Sequence, residues 1–255
     1  MILNEQNYFS READMEFMSN SQFKSFLRCQ AAAMAELRGE YQRERSTAML
    51  VGSYVDEALT GDLERFKAEN PELFKKDGSL KAEFSLADTM IERVKRDKMF
   101  MNYIDGAHQV IMTGTIAGVK FKIKIDCLHH DKIVDLKTAK SFSSVYDDEL
   151  GRVAWFMEYN YALQAAVYQE IVRQNIGKQL PFFLAAVTKE KTPDIDIVHI
   201  VQADIDREMK RVLDLAPYFD AIKHGAIEPD RCERCEYCKM TKVLSEPSES
   251  DDMWI

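Results

Sequence analysis

The spacing of apolar residues changes character along the chain, first following a helical period, then a strand period, then alternating between the two. After Ser19 and Asn20, both good helix-capping types, Phe23, Phe26, Leu27 and Met34 recur at helical spacing. "SNSQFKSFLRCQAAAMAELRGE" therefore predicts a first helix. "STAMLVGSYVDEALTGDLERFKAEN" predicts a second, stopped by Pro71. Lys76-Asp77-Gly78 reads as a turn, and "SLADTMIERVKRDKMFMNYI" predicts a third helix with Ser85 as its cap. In "HQVIMTGTIAGVKFKIKIDCLHHDKIVDLKTAK" the period falls to two. This predicts a three-stranded meander turning at Ala117-Gly118 and at His129-His130-Asp131. Val119, Phe121, Ile123 and Ile125 take one face of the middle strand, and Lys120, Lys122, Lys124 and Asp126 the other. A long helix is expected over about 153–175, then strands in "PFFLAAVTKE" and "IDIVHIV", then a helix in "DIDREMKRVLDLAPYFDAIKHG".

This order predicts an α/β fold of the α+β kind, a mixed sheet of about five strands flanked by helices. One domain is expected over 1–240, with N-terminal helices at 19–101, a core at 107–201, and a C-terminal helix and cysteine segment at 203–240. The tail, 241–255, is expected to be disordered.

Composition narrows the class. The 255 residues carry ordinary apolar and charged fractions and a net charge of −9, which argues against coating nucleic acid by bulk electrostatics but leaves a local basic groove open. No apolar run approaches the roughly 18 residues of a membrane helix. "MILNEQNYFSREADMEF" is acidic and mixed, unlike a signal or transit peptide, so a soluble cytoplasmic protein without a membrane partner is expected.

The sharpest chemistry lies in "DKIVDLKTAK". Asp135 and Lys137 are two apart, so on a strand they share a face, while Val134 and Leu136 take the other. Asp126 ends the preceding strand, across a tight turn from Asp135. Two carboxylates converging there make a hard-oxygen site suited to Mg2+ or Mn2+, and an ammonium beside them can hold a water that attacks phosphorus. A solvated surface salt bridge would use the same residues, and an isolated D-x-K is common.

"GVKFKIKIDCLHHDKIVDLKTAKS" followed by "YALQAAVYQE" resembles the PD-(D/E)XK nuclease superfamily, in particular the phage-type exonucleases that include exodeoxyribonuclease VIII and lambda-type exonuclease. The resemblance covers roughly 50–175 and implies a restriction-endonuclease-like core. It implies that Asp126, Asp135 and the backbone carbonyl of Leu136 hold the metal, and that Lys137 positions the nucleophilic water. Gln164 and Tyr168, one helical turn apart, would approach the site or the DNA from the helix. Relatives often carry G-x-x-x-H upstream, where this chain has Gly52 and Asp56, so Asp56 is a candidate metal ligand or a solvated helix residue. Gln109 stands where relatives often have an acid before the first core strand.

Cys232, Cys235 and Cys238 form two overlapping C-x2-C pairs, and Cys29 is the obvious fourth ligand for zinc or a four-iron cluster. Some nucleases of the superfamily close an iron–sulfur staple in this way, with one cysteine before the core and three after it. There the last two are usually further apart, and unligated thiols are the plain alternative.

The expected function is a divalent-metal-dependent deoxyribonuclease. By resemblance alone it would be a 5′→3′ exonuclease on linear duplex DNA in phage-type recombination, ring-forming as a trimer or tetramer with basic strips turned inward, and paired with a single-strand annealing protein. The alternative is an inactive or weak DNA-binding scaffold on the same fold. A zinc-dependent interaction module at the C-terminal cysteines is a third reading.

Overall fold

In the computed structural model, residues 1–147 and 151–244 are described. β1 (Ala107–Ile116) and β2 (Val119–Leu128) form an antiparallel hairpin. Ala117 (φ 50°) and Gly118 (φ 81°) both take the left-handed conformation at its tip, the geometry whose twist matches that of the flanking strands. β3 (Ile133–Ala139) returns antiparallel to β2, then pairs in parallel with β6 (Phe182–Thr188), and β7 (Ile195–Ile200) runs antiparallel to β6. The resulting five-stranded mixed sheet, in the order β1-β2-β3-β6-β7, has the expected architecture. A parallel pair needs a crossover, and α8 (Tyr161–Ile176) lies in the connection from β3 to β6.

Helices cover both faces. On one, α2 (Asn20–Arg28), α3 (Gln30–Arg38), α8 and α9 (Gln202–Lys223) pack against Phe121, Ile123, Ile125, Phe182 and Leu184. On the other, α4 (Thr47–Thr60), α5 (Leu63–Glu69), α6 (Ala82–Lys95) and α7 (Lys98–Ile104) pack against Cys127, Val134, Leu136, Ala185 and Val187. β6 alternates between the two cores and is buried on both sides, which explains its unbroken apolar run.

Several expected helices are broken. The first stops at Cys29, which is extended (φ −166°, ψ 112°) and separates α2 from α3. The second breaks at Gly61-Asp62, where the Asp62 side chain accepts from the Arg65 N–H and caps α5. The third breaks at Arg96-Asp97, with Asp97 capping α7. Ser85 is not a cap but lies inside α6, which begins at Ala82. Periodicity survived these breaks because the same face stays buried on both sides of each. The long helix begins at Tyr161 rather than near 153. A small hairpin of β4 (Val145–Asp147) and β5 (Gly151–Val153) precedes it, and Asn160 sits at φ 53°, which a right-handed helix cannot contain. Ser19 caps α2 as expected, accepting from the Gln22 N–H. Residues 245–255 of the expected disordered tail lie outside the described residues.

Candidate active site

The site is built where β2 and β3 part. They pair only at Cys127↔Val134 and Leu128↔Ile133. One step further, the Leu136 N–H has lost its strand partner and donates instead to Asp126 Oδ2 at 2.9 Å. The fork thus exchanges a ladder bond for a side-chain bond, and this holds Asp126 beside β3. The alternation expected over 119–126 holds, with Val119, Phe121, Ile123 and Ile125 in one core, and it breaks just beyond Asp126. Cys127, of the same parity, belongs to the other core. Met18 takes the edge of β2 that β3 has left, with Met18 N–H to Lys120 O at 2.8 Å and Lys122 N–H to Met18 O at 3.0 Å.

Asp135 is buried on β3. Its Oδ1 accepts from Gln164 Nε2 of α8 at 2.7 Å. Its Oδ2 is buried and receives no well-aligned hydrogen bond, facing the Lys137 ammonium at 2.5 Å. Burial pulls the Lys137 ammonium toward neutrality, but Asp135, Asp126 and Tyr161 together outweigh it and hold its pKa above the ordinary lysine value. The Tyr168 hydroxyl donates to the Lys124 carbonyl at 3.0 Å, so it braces β2.

Asp56 reaches the fork from α4. A Cβ on Gly52 would lie 3.2 Å from Thr138 Oγ1, so glycine lets α4 approach β3 closely one turn before Asp56. Asp56 accepts from Thr60 Oγ1 at 3.0 Å and from Gln109 Nε2 at 3.4 Å. Gln109 lies within β1 rather than before it, at φ 54°. Burial, then the charges of Asp135 and Asp56, push Asp126 well above the ordinary carboxylate range, and burial raises Asp56 as well. Three carboxylates facing one ammonium would, when all are ionised, leave an excess of two negative charges in a partly dry site, and the raised pKa values of Asp126 and Asp56 reflect that crowding. That excess, and an Asp135 Oδ2 that only Lys137 faces, fit a hard divalent cation.

A cleft of about 790 Å³ opens from Asp126, Asp56 and Gln109 past Lys124 and Phe9 to Arg11 and Arg45. Two of the three lysines on the polar face of β2 are paired within the chain. Lys122 is buried against Asp14 (2.7 Å) and the Tyr8 carbonyl, and Lys120 pairs with Glu16 (3.0 Å). α1 (Arg11–Glu16) and its flanks cover that part of β2, leaving Lys124 under the Phe9 ring at 5.5 Å. Sequence reasoning missed Lys24, whose Nζ donates to the Tyr159 carbonyl at 2.7 Å. Lys24 and Lys137 both lie 5.5 Å from the centre of the Tyr161 ring. Burial and then Lys137 draw Lys24 down to about 8. Nothing in α2 distinguishes Lys24 from a solvated helix residue until the fold brings β3 alongside.

At the far end of α2, the sulfur atoms of Cys29, Cys232, Cys235 and Cys238 all lie within 4.8 Å of one another. Cys238 belongs to α10 (Glu236–Met240). Cys127 stands apart, buried, with its thiol on the Ile104 carbonyl.

A split strand pair presenting one aspartate, an Asp-x-Lys on the central strand, and a glutamine from the crossover helix together define the PD-(D/E)XK class of nuclease fold. The profile of a family described as "PDDEXK-like domain of unknown function (DUF3799)" matches residues 19–241, and the chain belongs to that family. It is similar to a presumed exonuclease from Eubacterium rectale, known from a crystal structure. The two are 42% identical with a TM-score of 0.96, over 100% of this chain and 98% of that one. The crystal structure of SSO0001 is 15% identical, with a TM-score of 0.28 over 76% of this chain and 85% of that one. No curated protein matches the chain. Among the described residues, no helix is long and apolar enough to cross a membrane.

Proposed function

We propose that the protein is a divalent-metal-dependent deoxyribonuclease that degrades linear duplex DNA, acting as a 5′→3′ exonuclease. The observation that carries this reading is the buried Asp135 carboxylate, held by Gln164 on one oxygen and facing only Lys137 on the other, beside Asp126. Asp126, Asp135, the Leu136 carbonyl and Asp56 would hold Mg2+ or Mn2+. Bound there, the cation would supply Lewis-acid stabilisation of the charge that builds on the phosphate. Lys137, paired with Asp135, acts as a hydrogen-bond donor that orients the attacking water rather than as a base that takes its proton. Gln164 fixes the rotation of the Asp135 carboxylate. Tyr168 braces the β2 backbone at Lys124 and keeps the fork open.

DNA is the substrate class that the nuclease family points to, and the exonuclease reading draws support from the relative's name. Assembly as a trimer or tetramer, and a single-strand annealing partner in phage-type recombination, extend the proposal by resemblance to phage-type enzymes. The cysteine group is taken as a metal-holding clasp. The residues over 1–240 are taken as one domain.

The test is degradation of end-labelled linear duplex with Mg2+ or Mn2+, against a closed circular control. Linear DNA should be consumed and circular DNA spared. Asp135→Asn and Lys137→Ala should lose activity by about 100-fold or more while each still unfolds in a single cooperative transition, lowered by the loss of a buried ion-pair partner. A folded wild-type protein that cleaves neither substrate with any divalent cation would favour the scaffold reading, which Asp56 in place of a histidine and Gln109 in place of an acid motivate.

A further inference from the structure

We infer that the four-cysteine clasp is built for a single tetrahedral zinc ion rather than an iron–sulfur cluster. The inference rests on reading the cysteines as a metal clasp and goes on to name the ion. A tetrahedral site with zinc–sulfur bonds near 2.3 Å holds its sulfurs about 3.8 Å apart. Here Cys29 and Cys238 sulfurs are 3.6 Å apart, those of Cys232 and Cys238 are 4.0 Å apart, and no pair exceeds 4.8 Å. A four-iron cluster interposes its own irons and sulfides between the thiolates and needs a distinctly wider cage. The C-x2-C-x2-C spacing fits either centre, so the sulfur–sulfur distances decide.

The surroundings are organised for thiolates. The Cys235 N–H points at Cys232 Sγ (3.3 Å) and the Cys238 N–H at Cys235 Sγ (3.4 Å). Such bonds stabilise sulfur that carries negative charge. Arg231 donates to the Cys238 carbonyl at 2.8 Å and places a cation beside a centre whose four thiolates outweigh a zinc ion by two charges.

The clasp also explains the break between α2 and α3. Cys29 is extended, which turns its side chain toward the C-terminal segment, and Ala31 N–H to Asp230 O (3.0 Å) with Asp230 N–H to Gln30 Oε1 (2.9 Å) stitch the two stretches together. Both helices line the cleft, through Ser25 and Phe26 of α2 and Ala33, Glu36 and Leu37 of α3. The ion therefore fixes one wall of the active-site cleft.

The full chain, produced in medium containing both iron and zinc and purified anaerobically without chelator, should be colourless. It should carry one zinc per chain and no acid-labile sulfide. Mercurial titration of the thiols should release the zinc in step with a fall in the thermal transition. Replacement by cobalt should give the intense visible bands of tetrahedral thiolate coordination, and Cys235→Ser should weaken zinc retention, as judged by competition with a chromogenic chelator. A brown protein with iron and sulfide in equal amounts would overturn zinc and leave the clasp standing. A protein with neither metal, whose thiols titrate freely or are joined as disulfides, would overturn both.

Discussion

Gln164→Met is the most informative single change at the fork. Gln164 is buried on α8, and its Nε2 gives Asp135 Oδ1 its 2.7 Å hydrogen bond. Methionine keeps nearly the same length and volume and removes the donor. The Asp135 Oδ2 has no aligned donor of its own, so the substitution leaves a buried carboxylate with Lys137 as its close partner. A net hydrogen bond to a charged group amounts to roughly 1.5–3 kcal/mol. The freed carboxylate swings toward the ammonium, and returning it to the working orientation costs at most that bond, so the rate should fall by roughly 10- to 150-fold. The assay is single-turnover cleavage of end-labelled linear duplex at saturating Mg2+, with the thermal transition measured in parallel. The transition should drop by several degrees, since about 2–4 °C accompanies each kcal/mol in a chain of this size. A rate within about threefold of wild type, in a protein whose transition had fallen as expected, would refute the assignment of Gln164 as the group that orients Asp135.

Two further outcomes follow from residues outside the carboxylate cluster. Lys223 is buried, donates to the Phe17 carbonyl at 2.8 Å, and is drawn down to about 8 by burial. Its folded pKa lies below its unfolded value near 10.4, so between those values the unfolded chain binds more protons and stability rises with pH. Denaturant titrations should show wild type gaining on Lys223→Met from pH 8 to 10, and a flat difference would refute the buried-charge account. Phe9 is 74% exposed in the cleft beside Lys124, so Phe9→Ala should leave the thermal transition unchanged. If its ring stacks on a base, affinity for a fluorescent single-stranded overhang should fall by roughly 5- to 150-fold, as expected for about 1–3 kcal/mol. Unchanged affinity would remove it from the DNA path.

The architecture was legible because the sheet announces itself in the two-residue period of 107–139 and the apolar run at 182–188. Asp135 and Lys137 had to share a face once they lay on a strand, and a tight turn had to bring Asp126 near them. The need of a tetrahedral centre for a fourth thiolate, together with the resemblance, also grouped Cys29 with the three late cysteines as a candidate set. Helix boundaries were less legible. A buried stripe continues across Cys29 and across Arg96-Asp97, and the breaks lie in backbone dihedrals and caps that periodicity does not register.

What the linear order of residues determined, then, was which groups could be neighbours on one strand, one turn or one helix face, since those relations follow from backbone geometry over a few residues. Tertiary structure decided everything that depends on how far strands and helices stand from one another. It parted β2 from β3 so that Leu136 binds Asp126, spent Lys122 on Asp14, brought Lys24 against Tyr161, and set the sulfur–sulfur distances that separate one metal centre from another. Those spacings are fixed by packing among segments as much as 209 residues apart, and no local pattern carries them.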